Sequence, residues 1–158
     1  MWANGKAADM HTAGTVDSIL SQKPPALWSV DPDATVFEAI KMLADKNIGA
    51  LLVMRAGQLH GVFSERDYTR KVILKGKSSK ETPVHDVISS PAITVEPCET
   101  VEGCMRLMTE NRVRHLPVLD GEKVVGIVSI GDLVNWTISA QSHALNQMQD
   151  YISGKYPG

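Results

Sequence analysis

The chain has 158 residues, 43% of them hydrophobic and 22% charged, with a formal net charge of −2. That length suits one ordinary domain, or two small halves that share a core. The charge balance excludes the basic footprint of a nucleic-acid binder, and no apolar run approaches the ~18 residues that span a bilayer.

Residues 1–14 are small and polar, lack the apolar centre of a signal peptide, and read as a flexible leader. An extended piece at 26–30 is followed by a Pro-containing turn and a helix. On that helix Val36, Ala39, Ile40, Leu43 and Ala44 recur on one face. Thr35 and Glu38 give it a capping-box start. Strands are expected at 51–54 and 59–63, and the pattern turns helical after Ser64. A Lys-, Ser- and Gly-rich stretch at 75–82 reads as a linker. The series then starts again, with an extended piece at 92–95 and a helix carrying Val101, Cys104, Met105 and Met108. Strands at 116–119 and 124–128 follow, joined through the hairpin signal Asp120-Gly121. The last helix carries a stripe of Leu145, Met148 and Ile152, with Gly154 as its stop.

This second series is a copy of the first. With an offset of 65 residues, 30–68 lies on 95–133 without a gap. Pro32/Pro97, Thr35/Thr100, Leu51/Leu116, Gly61/Gly126, Ser64/Ser129 and Asp67/Asp132 are among the identical pairs. A shorter echo, offset by 68, relates 15–20 to 83–88. The expected fold is α/β (α+β): two pseudo-two-fold-related β-α-β-β-α units packed through their sheets. The units are placed at 15–74 and 83–138, with a C-terminal helix and tail at 139–158.

The repeated turn Gly61-x-x-Ser64-x-x-Asp67 and Gly126-x-x-Ser129-x-x-Asp132 is where chemistry is expected. Serine followed three residues later by aspartate, between a strand and a helix, is a variant capping box and has a purely structural reading. The same place also presents free backbone N–H groups and the positive end of a helix dipole. A carboxylate there can accept two hydrogen bonds from the vicinal hydroxyls of a ribose. Both readings stay open, and one turn can serve both. Arg112 and Arg114, alternate residues of an expected extended segment, share a face suited to phosphate. Arg66 and Lys23 are further phosphate candidates, whereas Lys71, Lys75, Lys77 and Lys80 read as solvent-facing charge. Trp28 reads as a core or interface residue before it reads as a stacking platform.

His11, His60, His85, His115 and His143 show no ligand spacing, and Cys98 and Cys104 form neither a zinc set nor a disulfide framework. No metal is expected. Neither a Gly-x-Ser-x-Gly elbow nor a Walker loop nor a Gly-x-Gly-x-x-Gly turn occurs, so no enzyme is expected. Free thiols point to a reducing, cytoplasmic setting.

The paired Gly-x-x-Ser-x-x-Asp turns, the run Arg114-His-Leu-Pro-Val118 and the Asp31-Pro/Glu96-Pro turns together resemble a tandem pair of cystathionine-beta-synthase (CBS) domains, or Bateman module. The resemblance covers about 15–135. The run 64–71 is similar to small stand-alone CBS-pair proteins, some of which bind AMP or NAD(H). It implies two clefts between the copies, with ribose contacts from Ser64, Asp67, Ser129 and Asp132. The cleft of Asp132 would take its adenine wall from Ala26, Trp28, Ile48, Gly49 and Ala50. That of Asp67 would face Ile93, Val113, Arg114 and His115, with Val62 and Ile127 as further adenine contacts. Phosphate would meet Arg66, Arg112, Arg114, His115 and Lys23. The first copy has Ala50-Leu-Leu-Val53 where the second has His115-Leu-Pro-Val118, so the clefts are unequal. By this wiring the Arg114–His115 pair serves Asp67, whose cleft should prefer the phosphate end. The implied ligand is AMP, with ADP, ATP or NADH as variants. The implied role is energy sensing by a homodimer, arranged as a disc of four units or as a tetramer, that signals to an effector protein. No nucleic-acid or membrane partner is implied. The alternative is a ligand-free structural dimerisation module.

Overall fold

The computed structural model describes residues 14–88 and 90–152, apart from the Tyr151 side chain. Thr15 opens the first helix, α1 (Val16–Ser21), by accepting the Ser18 N–H on its hydroxyl. The chain then crosses to β1 (Ser29–Val30) and enters α2 (Val36–Lys46). The apolar spacing of α2 buries Val36, Ala39 and Leu43, Thr35 caps its start at 3.1 Å from the Glu38 N–H, and Asn47 ends it in the left-handed region at φ 54°. The antiparallel hairpin β2 (Ala50–Arg55) and β3 (Gln58–Ser64) follows, with β1 parallel to β2. α3 (Glu65–Tyr68) continues as a π-helical turn (Thr69–Ile73).

The second copy repeats this closely. α4 (Val101–Asn111) is capped by Thr100, ends at Arg112 with φ 55°, and leads into the hairpin β4 (His115–Asp120) and β5 (Lys123–Ser129). Both hairpins shift register at the same place, between Val53 and Met54 and between Val118 and Leu119. Of the extended piece expected at 92–95, only Val95 bridges Val118, the counterpart of Val30 beside Val53. The last helix departs from the repeat: α5 (Ile130–Ile152) has 23 residues. The expected stop at Gly154 lies outside the described residues.

Each copy has its own core. Val30, Val36, Leu43, Leu51, Val53 and Phe63 fill one, and Val101, Met108, Leu116, Val118, Val128 and Leu133 the other. The two echo segments are exchanged. Val16 and Ile19 of α1 complete the second core, while Val84 of the short 3-10 turn (Val84–Asp86) and Val87 just after it complete the first. Backbone bonds fix both seats: Val16 N–H donates to Glu99 O at 2.9 Å, and Val84 N–H to Ala34 O at 2.8 Å. Gly14 is buried at φ 71°, where a Cβ would collide with the Trp136 indole. Leu52, on the opposite face of β2 from Leu51 and Val53, is also fully buried. The two sheets approach each other through β3 and β5, which sets the two strand-to-helix turns in one neighbourhood.

Candidate functional site

At each turn a strand ends, a serine caps the next helix and an aspartate sits one helical turn in. The Asp67 N–H donates to Ser64 Oγ at 3.2 Å, and the Ser64 N–H returns to Asp67 Oδ2 at 2.9 Å. In the second copy Asp132 N–H donates to Ser129 Oγ at 3.1 Å, and Ser129 N–H to Asp132 Oδ2 at 2.8 Å. These reciprocal bonds satisfy donors that a helix start leaves open, so the capping reading holds in both copies. The carboxylates remain partly accessible, with side-chain exposures of 14% for Asp67 and 21% for Asp132.

Each copy ties its turn to the residue before its own hairpin by an equivalent backbone bond. Glu65 N–H donates to Gly49 O at 3.1 Å and Ile130 N–H to Arg114 O at 2.9 Å. Gly49 and His115 face one another across the copies: a Cβ at Gly49 would lie 3.4 Å from the imidazole. Arg66 also crosses, with Nη1 donating to Arg112 O at 3.1 Å. Ile48 packs on the first core, and Ile93 and Val113 on the second. Ala50 is buried, whereas Val62 and Ile127 are half-buried on the strand faces opposite Phe63 and Val128. Ala26 is exposed.

Several cationic and aromatic candidates differ from expectation. Arg112 is the left-handed cap of α4 and not an extended residue, so it does not share a strand face with Arg114. His115 is paired in register with Ser129, and the charges that bear on it are Asp132, Lys23 and Arg114. It therefore stands with its own copy's turn and not with Asp67 alone. Burial pushes its imidazole below the ordinary histidine value, with Asp132 opposing and Lys23 and Arg114 adding. That shift favours the uncharged imidazole over a second cation beside Arg114. Lys23 bonds the carboxylate itself: Nζ donates to Asp132 Oδ2 and to Ile127 O, each at 2.8 Å. Trp28 is half-exposed and carries the Lys46 ammonium 4.1 Å from its ring centroid, a cation–π contact.

Lys71, read as solvent-facing, instead pairs with Asp67 Oδ1 at 3.3 Å. Its i,i+4 spacing from Asp67 was a usable local signal. The Lys23–Asp132 contact has no such signal, because 109 residues separate the partners. A surface hollow of about 440 Å³ lies elsewhere, along Thr94, Glu96, Cys98 and Glu99. Its acidic lining is unsuited to phosphate, and it contains none of the expected site residues. Among the described residues no group of three or more His, Cys, Asp or Glu could hold a metal ion, and no helix is long and apolar enough to cross a membrane.

Both copies are matched by comparison with known proteins. The CBS-domain profile matches residues 16–73 and 84–139. The chain belongs to the CBS-domain family. This CBS pair is 42% identical over 135 residues to the Arabidopsis thaliana CBS domain-containing protein CBSX3, mitochondrial, covering 82% of this chain and 65% of that protein. It is 32% identical to the Bacillus subtilis CBS domain-containing protein YhcV, covering 80% and 82%. Among solved structures, a putative signal-transduction protein with CBS domains from Burkholderia ambifaria superposes with a TM-score of 0.77 at 47% identity, over 79% of this chain and 94% of that one. The CBS domain pair of protein MJ0100, solved with 5′-methylthioadenosine and S-adenosyl-L-methionine, superposes with a TM-score of 0.69 at 26% identity, covering 78% and 95%.

Proposed function

We propose that this CBS pair is a non-catalytic sensor that binds an adenosyl ligand, AMP or a related nucleotide, in the clefts between its two copies. The observation that supports this most directly is the duplicated Ser–x–x–Asp helix start. Each places a partly exposed carboxylate beside a helix N-terminus, where a ribose diol can donate to it. The adenosyl ligands of the MJ0100 pair supply the ligand class. In this reading Asp67, Ser64, Asp132 and Ser129 hold ribose. Half-buried Val62 and Ile127, with Ile48, Ala50, Ile93 and Val113, supply apolar walls. Arg66, Arg114 and Lys23 supply positive charge, and neutral His115 a hydrogen bond. ADP, ATP and NADH are variants of the same ligand.

The readout is a homodimer whose geometry follows ligand occupancy and is sensed by an effector protein, which requires different affinities for the two geometries. The exposed stripe of α5, Val134, Ile138, Leu145, Met148 and Ile152, recurs at heptad-compatible spacing and is the self-association face. A helix whose outer half lacks tertiary packing is marginal alone.

Titration calorimetry with AMP tests the reading. Losing a charge-assisted hydrogen bond costs roughly 1.5–3 kcal/mol, so Asp132→Ala and Asp67→Ala should each weaken their own cleft about 10- to 100-fold. Unchanged affinity in both variants would remove the ribose assignment. Ligand at 100 times its Kd should stabilise the fold by ~2.7 kcal/mol. No thermal shift with AMP, ADP, ATP, NADH or S-adenosylmethionine leaves a structural dimerisation module.

A further inference from the structure

We infer that Lys23 is an exchangeable latch on the ribose carboxylate of the Asp132 cleft, and that it makes this cleft selective for adenosyl ligands bearing an anionic group beyond the ribose. The inference rests on the adenosyl reading above and adds to it a mechanism of ligand choice.

The latch is built by the fold. α1 lies close on β5 because Gly126 has no side chain: a Cβ there would meet Leu20 Cδ2 at 2.7 Å. α1 ends in the next turn, with Lys23 N–H donating to Leu20 O at 3.2 Å, and Pro24 and Pro25 prevent it from continuing. The Lys23 stem is thereby directed at the end of β5, where Nζ holds Ile127 O and Asp132 Oδ2. The pair is partly sheltered, with side-chain exposures of 32% for Lys23 and 21% for Asp132.

Oxygen arithmetic makes the contact competitive. A carboxylate oxygen has two lone-pair positions. On Asp132 Oδ2 one accepts the Ser129 N–H and the other accepts Lys23. A vicinal diol that donates one hydroxyl to each carboxylate oxygen needs the position Lys23 holds. Binding therefore exchanges one donor for another, and a neutral nucleoside gains a hydrogen bond only by breaking an ion pair. An anionic ligand receives the released ammonium, which stays tethered near Ile127 O on a flexible four-carbon stem. The same side chain thus opposes the nucleoside and rewards the phosphate.

The other cleft lacks this device. Carried three residues past the echo of 15–20 on 83–88, the 68-residue offset sets Pro91 opposite Lys23. The cation on Asp67 is Lys71, one turn along the same helix and 42% exposed. At 3.3 Å this contact is longer than the 2.8 Å Lys23–Asp132 contact, and an i,i+4 pair with an exposed cation contributes little and yields readily to a ligand.

Calorimetry with AMP and with adenosine, in an Asp67→Ala background that confines binding to the Asp132 cleft, tests the exchange. With Lys23 present AMP should bind at least ~10-fold more tightly than adenosine, the scale of one charge-assisted contact. In Lys23→Met adenosine should bind as well or better and AMP more weakly, so that the AMP preference falls by ~10-fold or more. Lys23→Arg should retain most of the preference. Equal changes for both ligands in Lys23→Met, or an AMP preference that survives it, would overturn the latch while leaving the adenosyl reading intact. Failure of the full protein, with Asp67 and Lys23 in place, to bind either ligand would overturn both. Circular dichroism of each variant separates misfolding from loss of the contact.

Discussion

The two Ser–Asp turns are the same local structure in different electrostatic settings. In the first copy the aspartate meets Lys71 from its own helix; in the second it meets Lys23 from a segment that precedes both copies. At offset 65 the position of Lys71 is taken by Trp136, and Lys23, three residues past the 15–20 echo, falls on Pro91 when the 68-residue offset is carried on. Duplication kept the capping box and moved the cation. The lesson concerns range. A cap needs four consecutive residues and survives wherever that short sequence survives. A long-range ion pair depends on how neighbouring segments seat, and is free to diverge.

The copies also differ in their cores, in their helix lengths and at the strand start that faces the other unit, and each difference gives a test. The largest effect is expected in the core. Phe63 and Val128 are equivalent and both fully buried. Phe63→Ala should cost ~3–5 kcal/mol, against about 2 kcal/mol for the two methyl groups lost in Val128→Ala. Urea unfolding should show a single transition displaced in both variants. Two separated transitions would mean that the copies unfold independently.

Next is the helix that only the second copy extends. The α5 residues Leu145 and Met148 are 55% and 60% exposed. Paired Leu145→Glu and Met148→Glu substitutions place like charges along the proposed self-association face and should raise the Kd of the proposed dimer at least ~10-fold, since each removed apolar contact accounts for roughly 1.5–3 kcal/mol. Sedimentation equilibrium reads the change. An unaltered dimer would assign association to another surface.

The smallest effect is at His115, where the first copy has Ala50. Burial lowers the pKa of this histidine in the folded protein, so the unfolded chain binds the proton more readily. Stability should hold above pH ~6.5, the unfolded histidine value, and decline as pH falls from there towards the lowered folded value. The decline should be shallower in His115→Gln, as followed by thermal melts across pH. A wild-type profile matching that variant would place His115 in water.

Much of this was legible in the sequence, for identifiable reasons. The 65-residue offset exposed the duplication because Pro, Gly, Ser and Asp keep register only when the backbone turns they make are kept. Helices α2 and α4 follow from the spacing of Val36, Ala39 and Leu43 and of Val101, Cys104 and Met108. The Ser64 and Ser129 caps follow from their aspartates three residues on. Arg112 was misplaced because nothing in a run of charged residues announces a left-handed helix cap; its counterpart Asn47, a residue tolerant of that conformation, was the available hint. The partner of Lys23 was hidden because periodicity says which face of α1 is buried and not which core buries it. The preference of His115 for the uncharged form was hidden because burial, and not its basic neighbour Arg114, governs it.

The exchange of the two echo segments has a consequence for how the molecule can be divided. Neither repeat, excised as the contiguous stretch its motif suggests, carries a complete interior. A fragment holding only 30–68 lacks Val84 and Val87, and one holding only 95–133 lacks Val16 and Ile19. Each half borrows its lid from chain that lies on the far side of a crossover. Transplanting a single repeat into another protein would therefore move an open shell. The first interior is complete only when the stretch is carried on to Val87, and the second only when α1, which precedes the first copy, is kept with it.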